Sequence, residues 1–262
     1  MSQKIFHICT LVNNLNLYKS MKDSFMSAGF STDLCRYTVF DNSQSNQYDP
    51  YNTFNYIRSI TCEPYIIFCH QDILIDQGVG FDDLLSRVNH INELDSSWAV
   101  LGNAGVDYNY KLIAKISDPN STPVWNGSFP HKVHSLDENF LIINTSKSFF
   151  ASSDLKGFHF YATDICLNAI LKGYSCYVID FHVTHLSGGS LNQYFWDVKE
   201  RFHDVWNSKI HFGYVKTTTG VLVFLSKYLI LRSIFSSQKF INWFFVNPIG
   251  KKIQKLIIHP PS

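Results

Sequence analysis

The first hundred residues alternate between short apolar runs and longer stretches with one apolar face, and few folds accept that pattern. KIFHICTLV (residues 4–12) reads as a buried strand, and TDLCRYTVF (32–40), YIIFC (65–69) and WAVL (98–101) read as further strands. Between them, residues 17–28, 53–61 and 81–94 carry apolar side chains at helical spacing. Gly29 closes the first of these helices, and Pro64 stops the second ahead of the third strand. Strands alternating with helices predict an α/β fold, a mostly parallel sheet flanked by helices. In such sheets ligands gather outside the carboxyl ends of the strands, so the residues standing there carry the functional argument.

Further along, GNAGVD makes a glycine-bearing turn, and residues 109–134 dissolve into Asn, Pro, Ser and Gly. That composition predicts a long functional loop or an irregular hairpin. Residues 136–144 then read as a strand, 163–172 as a helix and 175–180 as a strand. Past residue 213 the character changes. Seven Lys or Arg (Lys216, Lys227, Arg232, Lys239, Lys251, Lys252, Lys255) face no Asp or Glu, and they are interleaved with large apolar and aromatic groups such as Trp243. We read residues 1–213 as the functional domain and 214–262 as a helical, basic and aromatic extension. No run in it reaches the ~20 apolar residues that a span requires. It fits a helix lying in a membrane interface, or one packed on the body or on a second subunit of a homo-oligomer.

Composition excludes some classes. With 16% charged and 16% aromatic residues the chain is globular, and a net charge of +1 gives no nucleic-acid footprint. The six cysteines form no CxxC pair and sit mostly in apolar runs, and no signal-peptide pattern precedes the first strand, so a reducing cytoplasm is expected.

Two acidic groups and a histidine stand where elements end. Asp72 closes the strand of YIIFCHQDI, Asp164 opens the helix after residue 162, and His185 precedes a Gly-Gly turn in HVTHLSGGS. Such a set suits a metal-assisted site with a separate base. The order of these pieces resembles the family 2-like glycosyltransferases of the GT-A fold, nearest the branch of bacterial capsule, lipopolysaccharide and antibiotic-sugar pathways. The resemblance covers roughly residues 4–190 and is carried by Asn55, by His70-Gln71-Asp72 at the position of the DxD turn, by Thr163-Asp164 at the acidic helix start, and by His185 with Ser187, Gly188 and Gly189. The first carboxylate of the DxD turn is here His70, and the Glu of the acidic pair is Thr163.

The resemblance implies a GT-A (Rossmann-like) mixed sheet and an inverting, metal-assisted hexosyl transfer. The donor is a nucleotide-sugar, a UDP-sugar first among them, and the acceptor a hydroxyl of a lipid-linked surface glycan. A hard divalent cation, Mn²⁺ or Mg²⁺, offsets the charge that grows on the leaving diphosphate, with Asp72 as its carboxylate ligand and His185 as a nitrogen ligand. His182 is the weaker candidate. Asp164 is the chosen base for the acceptor hydroxyl. Thr10, Val12 and Asn13 are expected around base and ribose, with Asn55, Arg58 and Gln71 near ribose or phosphates and Gly102 allowing close approach of the ligand. Arg58 reads equally as a solvated helix charge. Asp137 and Glu138 either bind acceptor hydroxyls or supply the true base, while Trp125, Phe158, His159 and Tyr161 are stacking platforms for a sugar.

These readings place the chain in the cytoplasm, peripheral on the inner face of the membrane. A catalytically silent GT-A-like subunit that binds glycan or partner proteins is the alternative. A nucleotidyltransferase would carry a glycine-rich phosphate loop near the first strand, and CTLVNNLN has none.

Overall fold

The computed structural model describes residues 3–118, 123–188, 192–211 and 213–230, with residues 240, 243, 244 and 247. Gly189 and nearly all of the tail beyond residue 230 lie outside the described residues. The strands are β1 (Phe6–Val12), β2 (Cys35–Asp41), β3 (Tyr65–Cys69), β4 (Ile73–Ile75), β5 (Trp98–Gly102), β6 (Ala104–Asp107) and β7 (Leu112–Ser117). They continue with β8 (Val124–Asn126), β9 (His131–Leu136), β10 (Phe140–Asn144), β11 (Ser175–Val178), β12 (Val183–His185), β13 (Gly213–Lys216) and β14 (Leu222–Leu225). The helices are α1 (Leu15–Ser27), α2 (Pro50–Ile60), α3 (Phe81–Leu94), α4 (Tyr161–Leu171) and α5 (Gln193–Lys209).

Each early helix starts where its sequence supplies a cap. Asn14 accepts from the amides of Asn16 and Leu17 before α1, and Asp49 accepts from those of Tyr51 and Asn52, with Pro50 in the first turn of α2. Gly29 follows α1 at φ +90°, a conformation that glycine adopts without strain.

One mixed sheet runs in the order β2-β1-β3-β10-β5-β11-β9-β6-β7-β12-β4, with β8 beside β7. Parallel pairing holds β2, β1 and β3 together, joins β5 to β11 and β7 to β12, and gives way to antiparallel pairing elsewhere. Strands β3 and β4 are separated by three residues of chain, yet they lie far apart in the hydrogen-bonding order, so the sheet is curled. Apolar side chains of α1 and α3 (Phe25, Leu84, Ile91) fill one face, and those of α2, α4 and α5 (Phe54, Ile165, Phe202, Trp206) the other.

Of the two forms expected for residues 109–134, the irregular hairpin is found among the described residues, as the antiparallel pair β7–β8, followed by the start of β9. Two local expectations change. The strand expected over 136–144 is broken at residues 137–139, where Asp137 Oδ1 accepts from the backbone and side-chain nitrogens of Asn139 in a local turn. The extension expected to be helical begins with the β13–β14 hairpin, and Val215, Val223 and Leu225 belong to the core beneath α4 and α5. The boundary expected at residue 213 therefore falls at the start of a hairpin rooted in the body.

Candidate active site

At the carboxyl end of β3 the chain turns through His70, Gln71 and Asp72 before β4, and antiparallel pairing of β4 with β12 sets Ile73 opposite His185. This register brings two distant segments together. His70 Nδ1 lies 3.4 Å from His185 Nε2 and 3.9 Å from Asp72 Oδ1, and His185 Nε2 lies 3.4 Å from the same oxygen. Ligand atoms ~2.1 Å from a cation sit ~3.0 Å apart in an octahedron and ~3.4 Å apart in a tetrahedron. The three donors therefore fit a divalent metal with little movement, and together they make a possible metal site.

Hydrogen bonding fixes how His70 presents itself. The Tyr161 hydroxyl donates its proton to the Glu138 carbonyl at 2.9 Å, so at 3.0 Å from His70 Nε2 it must accept. That leaves the proton on Nε2 and the lone pair of Nδ1 turned toward His185 and Asp72, as a ligand imidazole requires. Burial and then the neighbouring His185 hold the His70 pKa down, which favours the neutral form that binds metal. Burial acts against the Asp72 charge, but hydrogen bonds from His185 and Ser187 outweigh it and leave the carboxylate well below its usual range. Burial likewise lowers His185, yet the bond to Asp72 raises it more.

Beside the triad opens a solvent-connected cleft lined by the ends of β1 and β3, by Asn42 and Asn46 after β2, and by Phe158 and Tyr161. The Gln71 side-chain oxygen accepts from the amides of Asn13 at 3.0 Å and Asn14 at 2.8 Å, which ties the β1 end to the histidine turn.

Of the expected nucleotide residues, Val12, Asn13, Gln71 and Asp72 line this cleft. Four others are corrected. Thr10 is buried with its hydroxyl 3.5 Å from Cys69 Sγ. Asn55 uses its amide to bridge both backbone groups of Ala151, at 3.0 and 2.8 Å. Arg58 donates to the carbonyls of Asn144 and Lys147 and lies over the Phe149 ring. Gly102 packs against Leu136 and the Phe140 carbonyl, so a side chain there would strike the core and no ligand approaches it.

Asp164, expected as the base, is also corrected. The helix starts two residues earlier than its apolar pattern suggests, after Phe160 at φ +64°, and Asp164 falls on its inner side with no exposure. Its carboxylate accepts from Ser152 N at 2.8 Å, Ser152 Oγ at 2.6 Å, Trp206 Nε1 at 2.8 Å and Asn168 Nδ2 at 3.1 Å. Burial raises its pKa. Such a group holds helices together and cannot meet an acceptor.

On the acceptor side, Tyr161 walls the cleft, while Trp125 stands 67% exposed on β8 against His182 and Lys115, outside the cleft lining. Asp137 and Glu138 lie in the turn after β9. Burial, then Asp137, pushes the Glu138 carboxyl up to about 8. Sequence reasoning missed His70 because it sought a carboxylate there. It also missed Asn42 and Asn46, although both follow the carboxyl end of a predicted strand.

No family model matches the chain. Over 191 residues it is 35% identical to the ATP synthase subunits region ORF 6 protein of Fuscovulum blasticum, covering 70% of this chain and 76% of that one. Residues 1–349 of S. aureus TarS share the fold, with a TM-score of 0.50 at 12% identity over 96% of this chain and 78% of that one. The same TarS fragment in complex with UDP-GlcNAc gives 0.53 at 12% identity over 98% and 79%. The GT-A resemblance is thereby borne out for the fold.

Proposed function

This chain belongs to the same family as the Fuscovulum blasticum ORF 6 protein and has a GT-A fold, and we propose that it is a glycosyltransferase using a nucleotide-sugar donor. One observation carries the reading: His70 and Asp72 of the His70–Asp72–His185 triad line a cleft built from the carboxyl ends of β1 and β3. A TarS fragment of this fold binds UDP-GlcNAc, which supports a UDP-sugar as first donor to test.

When bound, a divalent cation here supplies positive charge to the leaving diphosphate. Two imidazoles and one carboxylate suit Mn²⁺ better than Mg²⁺, which prefers oxygen donors. Tyr161 keeps His70 in its ligand tautomer, Ser187 and His185 keep Asp72 ionised, and Gln71 holds the β1 end against the diphosphate side of the cleft. Transfer is inverting in this reading. The acceptor is a lipid-linked glycan at the inner membrane face, supported by the one-signed tail and by its Leu229 and Ile230, each 75% exposed after the β13–β14 hairpin. Among the described residues no helix is long and apolar enough to cross a membrane. The engagement of Asp164 favours a second reading, a silent subunit that binds nucleotide or glycan without turnover.

Calorimetric titration with UDP, GDP, CMP and dTDP, each with and without Mn²⁺, tests the proposal. Binding of one nucleotide that strengthens at least tenfold with Mn²⁺ is expected. No binding of any of them would remove the donor site, and metal-independent binding would remove the triad's role.

A further inference from the structure

With Asp164 sealed in the core, the attacking hydroxyl needs another proton acceptor. We propose that Glu138 is the general base and that the turn of the β13–β14 hairpin completes the acceptor site around it. This rests on the transferase reading above.

Glu138 borders a small hollow shared with Phe160, Phe195, Thr217, Thr218 and Thr219. The hollow adjoins the donor cleft through consecutive residues, because Phe160 faces the hollow and Tyr161 faces the cleft. The Tyr161 hydroxyl joins the two sides, bonded to His70 and to the Glu138 carbonyl. A diphosphate held at the triad and a carboxylate in the hollow would have to reach an anomeric carbon from opposite sides, as displacement with inversion requires.

Of the two acids in the turn, Asp137 is engaged on both oxygens, by Asn139 on Oδ1 and by the Thr218 hydroxyl at 2.6 Å on Oδ2. Among the described residues no side chain hydrogen-bonds the Glu138 carboxylate. Burial, then Asp137, raises its pKa, and the backbone amides of Phe160 and Tyr161, at the start of α4, act against that rise. Hydroxyls of Thr217 and Thr219, 2.7 Å apart, line the same hollow. Three threonines, a carboxylate and two phenyl rings make a polar and apolar setting that can seat the reacting hydroxyl of a polyhydroxylated acceptor.

The step is balanced without any further reagent. Glu138 takes the proton of the acceptor hydroxyl as its oxygen bonds to the anomeric carbon. The bond from that carbon to the diphosphate oxygen breaks, and its electron pair leaves with the nucleoside diphosphate. Glu138 then returns the proton to solvent. Water in the hollow would react in the same way, giving free sugar.

The test is nucleotide release from UDP-GlcNAc, UDP-glucose, GDP-mannose and dTDP-glucose by the full chain with Mn²⁺ in water, beside calorimetry of the matching nucleotide. Glu138→Gln should lower release at least ~100-fold while nucleotide affinity stays within ~3-fold. Glu138→Asp should retain a measurable part, and Thr218→Val should lose ~10-fold with affinity kept, the loss reporting the hairpin's part. Wild-type release by Glu138→Gln would overturn the assignment, as would an equal loss of nucleotide binding in both Glu138 variants. So would a wild type that binds nucleotide and releases none, since water is itself an acceptor. Absence of nucleotide binding by the wild type would instead defeat the transferase reading, and this inference with it.

Discussion

Asp164 gathers donors from three segments of chain: Ser152 from the loop before α4, Asn168 one turn along α4, and Trp206 from α5. Lys209 adds a bond to the Ser152 hydroxyl at 2.7 Å. Removing the acceptor would orphan a buried amide and a buried indole N–H, each costing about 1–3 kcal/mol. Asp164→Ala should therefore destabilise the fold by ~3 kcal/mol in urea unfolding, with nucleotide affinity of the surviving native protein little changed. Unchanged stability with lost turnover would return Asp164 to the role of base. Glu138 predicts a pH effect of definite sign. Its folded pKa, about 8, lies above the ordinary 4.5, so the folded state holds the proton more tightly than the unfolded chain does. Its stabilising contribution is complete below pH 4.5 and declines as pH rises toward 8. Glu138→Gln should flatten that decline, a change read from urea midpoints between pH 5 and 8. At this level the sequence exposed Asp72 and His185, because each ends an element beside a glycine-rich or polar turn. It could not expose the burial of Asp164, since an acid near a helix start reads the same whether its side chain faces solvent or a buried indole.

Elements explain why the acceptor side was hard to read. LDENFLIIN looks like one strand because apolar residues flank the acids, yet Asp137 bonds Asn139 in a turn that ends β9 and starts β10 in the same direction on the far side of β11 and β5. α4 has no side-chain cap, so no Ser, Thr, Asp or Asn marks its beginning. β4 and β12 are three residues each, too short for periodicity to signal, and they are the pair that presents His185. The longer runs were legible, and β3 matched its expected bounds. The hairpin yields its own prediction. Leu225 has no exposure and packs beneath α5, whose Asn207 side chain accepts from the Ser226 amide at 2.9 Å. Leu225→Ala should cost ~3 kcal/mol of stability by opening a cavity in the common core. A cost below ~0.5 kcal/mol would mean that the hairpin is a detachable start to the tail, as the composition shift past residue 213 suggested.

Across the molecule, the curl of the sheet gives the triad a mechanical meaning. His70 and Asp72 hang from the turn after β3, near one end of the hydrogen-bonding order, while His185 ends β12 near the other. The sequence separation between the donors exceeds 110 residues, and a three-stranded contact of β4, β12 and β7 is what carries His185 back to the turn. A cation held by all three side chains would join the ends of the curl, and the unfolded chain offers no such preformed site. Binding to the native state alone stabilises by mass action, about 2.7 kcal/mol when free ligand is a hundredfold above its Kd. For a chain of this size that corresponds to a rise in Tm of about 5–10 °C. Mn²⁺ should produce such a rise, and Mg²⁺ at the same concentration a smaller one, because two of the three donors are nitrogens. Asp72→Asn should abolish the Mn²⁺ shift, and His70→Gln and His185→Gln should each reduce it, all read by differential scanning calorimetry without any substrate. An equal shift in Asp72→Asn would put the ion elsewhere on the surface, and the sheet's closure would then owe nothing to metal.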